Sequence, residues 1–123
     1  MKIASTISRY LLGLIFLTFG LNGFLHFIPM PPPTGVAGQF LGALFVSRFY
    51  VVIFLAQIIP AVLLVANRYV PLAITILAAL IFNILCFHIF MAPAGLPLAL
   101  VVTILWFLTA WRVRSAFAAI FQR

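Results

Sequence analysis

Few side chains in this sequence of 123 residues can do chemistry, and most of them fall in two short stretches. "FGLNGFLHF" (19–27) carries Asn22 and His26, four residues apart and therefore on one face of a helix. "FNILCFHIF" (82–90) carries Asn83, Cys86 and His88. Histidine is the one side chain here that titrates near neutral pH. The amides of Asn22, Asn83 and Gln57, and the hydroxyl of Thr18 one turn before Asn22, are neutral donors and acceptors. That set suits hydrogen bonding to the carbonyls of a lipophilic ligand such as a quinone head group. The 14 phenylalanines suit its ring or tail.

The missing residue types exclude much else. The chain has no Asp and no Glu. Paired-acid hydrolysis, carboxylate proton relays and Mg²⁺ or Ca²⁺ cages therefore have no ligands or acids in this chain. There is no phosphate loop and no dinucleotide fingerprint. Two histidines and one cysteine make a poor metal set, so no metal site is expected. The single Cys86 excludes an intrachain disulfide and reads as a packing residue. The polar residues have a plainer reading too. Asn and Gln in apolar helices commonly tie helix to helix, and histidines near a helix end commonly cap a loop.

What must position these residues is set by composition. The chain is 67% hydrophobic and 6% charged, too little polar surface to cover a soluble core. All seven charges are basic, but they stand singly between long apolar runs, which argues against nucleic acid and for a lipid bilayer. The expected architecture is all-α: one membrane domain, 1–123, with four transmembrane helices over 10–28, 49–66, 71–90 and 96–111. The prolines of "PMPPPTG" (29–35) end the first helix. The run 36–47 spans only about 18 Å, too short to cross, and is expected as an interfacial helix. A rival helix across 40–59 would bury Arg48 mid-membrane at a cost of about 2.5–3.5 kcal/mol. The basic N-terminus with its apolar run is read as an uncleaved first span.

Charge sets the expected orientation. With the N-terminus inside, Lys2, Arg9, Arg68, Arg112, Arg114 and Arg123 lie on the cytoplasmic side and Arg48 alone lies outside. Tyr10, Tyr69 and Trp111 then fall at the inner interface and Tyr50 at the outer, and Trp106 is read with Trp111 as an interfacial anchor. The first and third helices run the same way, so Asn22 and Asn83 share a depth of about 4 Å outward of the centre, and His26 and His88 one of about 10–11 Å. Gln57 lies close to the centre. Thr18, Asn22 and His26 form one stripe, whereas Gly13 and Gly20 form a packing stripe nearly opposite. His88 points about 140° away from Asn83.

The segments "LLGLIFLTFGLNGFLHFIPMPPP", "GQFLGAL", "AVLLVANRYVPLAITI", "NILCFHIF", "GLPLAL" and "WRVRSAFAAIF" resemble the DoxX family of small bacterial membrane proteins over about 10–121. The resemblance implies a four-helix bundle in the bacterial cytoplasmic membrane and a loose link to quinone-dependent redox chemistry. Similar sequences carry a Glu at the position of Gln57 and often another at Trp106, so both acids are absent here. A family activity that needs a buried carboxylate would be lost. The expected function is a non-catalytic accessory or structural subunit of a larger membrane complex, or a binder of small lipophiles at Asn22, His26, Asn83, Gln57, Thr18 and His88. The alternative is a quinone-linked membrane oxidoreductase component, with quinone as its cofactor. Expected partners are the bilayer and other membrane subunits or further copies of the chain.

Overall fold

The computed structural model describes residues 2–26 and 34–121, the last three of these by backbone alone. Every element among them is helical: α1 (Lys2–Leu25), α2 (Gly35–Val46), α3 (Tyr50–Ala66), α4 (Val70–Phe90) and α5 (Leu96–Arg112), with 3-10 segments at Pro93–Gly95 and Arg114–Phe121. Three stretches are long and apolar enough to cross a membrane: Lys2–Leu25, Val70–Phe90 and Pro93–Arg112. A fourth exists if α2 and α3, which meet at 89°, count as one bent span. By itself α3, at 17 residues, is about 25 Å long, slightly less than a ~30 Å hydrocarbon layer. The proline run and the end of the first apolar segment lie outside the described residues.

Both ends of the first helix differ from the expectation: it stops at Leu25, ahead of the prolines, with His26 in the left-handed region, and it starts earlier. The helix α1 begins at Lys2, eight residues before Tyr10, so Arg9 lies within it. Polarity marks where a helix leaves an apolar layer, not where its hydrogen bonding stops. Residues 2–9 contain nothing that breaks a helix, and Thr6 ties its hydroxyl back to the Lys2 carbonyl at 2.9 Å.

Four helices form an antiparallel ring. α1 packs on α3 and α5, and α4 packs on the same two, so α1 and α4 stand on a diagonal. Buried residues repeat at helical spacing on each inner face: Gln57, Pro60, Ala61 and Leu64 on α3, and Val70, Ala73, Ile74, Leu77 and Ile81 on α4. Leu12, Leu64, Ile74 and Leu77 are fully buried at its centre.

The α1–α3 contact is close because α1 offers no side chain there. A Cβ on Gly13 would meet Val65 Cγ2 at 2.9 Å, and one on Gly20 would meet Ile58 Cγ1 at 2.7 Å. On Gly23 it would enter the Phe54 ring. Small residues at such a seam let two backbones approach, which favours dispersion contact where lipid is the solvent.

Turn chemistry closes the ring. α3 ends at Asn67, in the left-handed region at φ 56°, with the Arg68 N–H returning to the Leu63 carbonyl and the Asn67 N–H to Leu64. This is a Schellman closure, with Asn as the non-glycine residue that tolerates it best. Pro71 occupies the first turn of α4, where no N–H is needed.

Candidate functional site

The residues expected to converge do not form one cluster. Asn22 is half-buried on α1. His26 ends that helix, exposed, at φ 53°, with its N–H bonded to the Asn22 carbonyl at 2.9 Å. Its ring lies 6.3 Å from that of Phe45 on α2. Thr18, one turn before Asn22, is exposed. On the diagonal helix, Asn83 also faces outward, and its amide donates to the Ala79 carbonyl of its own helix at 2.8 Å. The common depth expected of the two asparagines is thus not accompanied by a common direction.

Gln57 is buried on α3, with its Cβ close to Gly20, but its amide makes no hydrogen bond among the described residues. His88 serves the turn that follows α4. Its Nδ1–H donates to the Ala92 carbonyl at 3.0 Å, its ring stands edge-on to Phe87, and Gly95 leaves room for it, since a Cβ there would run into the imidazole. Cys86 is a half-buried free thiol.

These placements set an expected result. Asn22→Leu and Asn83→Leu should each cost something, but the double variant should lose the sum of the two within about 0.5 kcal/mol. Gln57→Leu should be close to neutral, because no hydrogen bond is removed. Unfolding in a detergent titration measures both. A coupling near 1 kcal/mol between the asparagines would show that they touch.

Two side chains that the sequence reads only as a charge and an interfacial anchor join helices. The guanidinium of Arg9 donates to the Leu64 carbonyl, at the C-terminal end of α3, and lies 4.3 Å from the Tyr10 ring centroid. A cation there adds a second donor to a carbonyl of the last turn, beside the Asn67 N–H, and faces the negative end of the helix dipole. Trp106, half-buried on α5, donates its indole N–H to the Ile74 carbonyl of α4 at 2.9 Å. It is a cross-helix tie and not an interfacial anchor. A buried indole needs an acceptor, and that rule was the available signal.

The ring's direction gathers charge at one end. Arg112 reaches the Lys2 carbonyl at 3.5 Å, and Arg9 reaches the end of α3, next to Arg68. Lys2, Arg9, Arg68, Arg112 and Arg114 therefore share an end, and Arg48 lies at the other. A groove of about 420 Å³ opens at the basic end, between α4, α5 and the segment Arg114–Phe121. Its walls are Thr75, Ala78, Trp106, Ala110, Trp111 and Phe117, with Arg114 at its edge. It is remote from Asn22 and His26, which lie toward the other end of α1.

No family model, curated protein or solved structure matches the chain.

Proposed function

We propose that the chain is a DoxX-like multi-pass protein of the bacterial cytoplasmic membrane, a non-catalytic accessory or structural subunit whose four long helices cross the bilayer with both termini inside. The observation that carries this reading is an inverted distribution of polarity. The interior of the ring holds Ser5, Ser8, Gln57, Thr109 and three glycines, while the outside carries Leu14, Val52, Ile59, Leu72, Phe82, Ile104 and Phe107, each more than half exposed. In water such an exterior would aggregate, whereas in lipid it is the solvated face.

The use of the polar side chains supports a structural role. Thr75, Asn83, Thr103 and Thr109 each bond a carbonyl one turn back, and Arg9, His88 and Trp106 bond carbonyls that end or join elements. Groups spent in this way hold helices; they do not converge on a substrate. The outward Asn83 supports contact with another membrane subunit, because an amide facing lipid gains from a neighbouring helix. The basic end supports the orientation through the positive-inside rule.

Two measurements test the reading. In a Cys86→Ser background, Tyr69→Cys should react with an impermeant thiol reagent only after the membrane is opened, and Ala94→Cys should react in intact cells. The reverse pattern would invert the orientation. Purification of the full chain in mild detergent should bring a stoichiometric membrane partner. A chain that instead purifies alone with a stoichiometric quinone would replace the subunit reading with a redox one.

A further inference from the structure

The groove at the basic end has walls and a rim of different chemistry. Two of its polar wall groups are already engaged: the Thr75 hydroxyl bonds the Pro71 carbonyl at 2.8 Å and the Trp106 indole bonds Ile74 at 2.9 Å. What remains facing the space is the apolar surface of Ala78, Ala110, Phe117 and the two indole rings. At about 420 Å³ it lies within the range of about 300–1,000 Å³ usual for small-ligand sites. Such walls favour a hydrocarbon chain over a polar ligand.

The rim is cationic. Arg114 donates one N–H to the Trp111 carbonyl at 2.7 Å, and its guanidinium stands 4.5 Å from the Trp111 ring centroid. These contacts fix the side chain while leaving most of its five N–H donors for another acceptor. No side chain of opposite charge exists in the chain, which has no Asp and no Glu. A fixed guanidinium without an acidic side chain to pair it, above an apolar groove that reaches the end of the bundle, matches a phosphate above an acyl chain.

We propose that this groove is a binding site for one anionic phospholipid of the leaflet that meets the basic end, with its phosphodiester on Arg114 and an acyl chain along Trp106, Ala110 and Phe117. The inference rests on the membrane reading above. It goes further in naming a lipid class and the residues that select it. The segment Arg114–Phe121 then serves as one wall of the site, and Phe117 packs against the core.

The chain contains two tryptophans and both line the groove, so their fluorescence reports its occupant directly. The full chain is reconstituted in vesicles doped with phosphatidylglycerol or phosphatidylcholine, each brominated on its acyl chains at equal mole fraction. Brominated phosphatidylglycerol should quench as though it bound about fivefold more tightly, the effect of one juxtamembrane cation. Arg114→Gln, at an exposed position, should abolish the preference and leave helicity unchanged. Ala110→Leu, which fills the groove, should lower quenching by both lipids. Equal quenching by the two lipids in a chain that has inserted, or a preference that survives Arg114→Gln, overturns the lipid site alone. A chain that never enters vesicles overturns the membrane reading and this one with it.

Discussion

Gly20→Leu should separate α1 from α3 and cost about 3 kcal/mol, the upper end of the range for overpacking. The first added atom already has no room: a Cβ at this position would stand 2.7 Å from Ile58 Cγ1, 3.3 Å from Gln57 Cβ and 3.4 Å from the Phe54 carbonyl oxygen. Ile58 could turn aside, but Gln57 Cβ at 3.3 Å is fixed to its helix and cannot move without it. A leucine adds three more carbons beyond that Cβ. Gly13 and Gly23 hold the helices close above and below, so α1 cannot tilt away locally. Lipid as solvent sharpens the effect. Close dispersion contact is what joins helices there, and the exposed leucine gains nothing by being buried again. Leu14, 51% exposed on the far side of α1, provides the control, since Leu14→Ala should leave unfolding in a detergent titration unchanged. A Gly20→Leu midpoint within error of the parent would mean that α1 and α3 do not pack through this seam.

How much of this was legible in the sequence varies with the physics involved. Apolar runs bounded by proline and charge are local signals, and α3 and α4 lie on the runs 49–66 and 71–90. The start of α1 was not legible, because Arg9 bounds the apolar run and not the helix. The glycine stripe was readable, since Gly13 and Gly20 lie a heptad apart, and both lie against α3. Depth along a helix follows from counting residues, and so Asn22 and Asn83 could be placed at one level. Which helices are neighbours does not follow from counting. The ring order puts α1 and α4 on a diagonal, and Asn83 lies outside, bonded to its own helix. Tertiary neighbours also hid the roles of Arg9 and Trp106, whose acceptors lie 55 and 32 residues away in the chain.

Trp106 offers the second large effect, because one side chain combines packing with a directed bond between α4 and α5. Trp106→Ala should cost about 3 kcal/mol, the low end of the range for large aromatic truncations. The ring is only half-buried, and lipid can enter part of the space it leaves. Trp106→Phe should cost about 1 kcal/mol, because it keeps most of the packing and loses the N–H. The acceptor moderates that loss. Ile74 lies inside α4, where its carbonyl already accepts from the helix's own ladder, so the indole occupies only the second lone pair. No buried carbonyl is orphaned when the indole goes. The two substitutions together separate the contributions. A Phe variant as damaged as the Ala variant would assign the interface to the hydrogen bond, and a Phe variant equal to the parent would assign it to packing alone. The expected order places Phe between them and nearer the parent, because the ring makes many weak contacts and the bond is single and partly redundant. Detergent unfolding reads the order, and the emission of the remaining Trp111, at the groove's outer edge, shows whether α4 and α5 have parted.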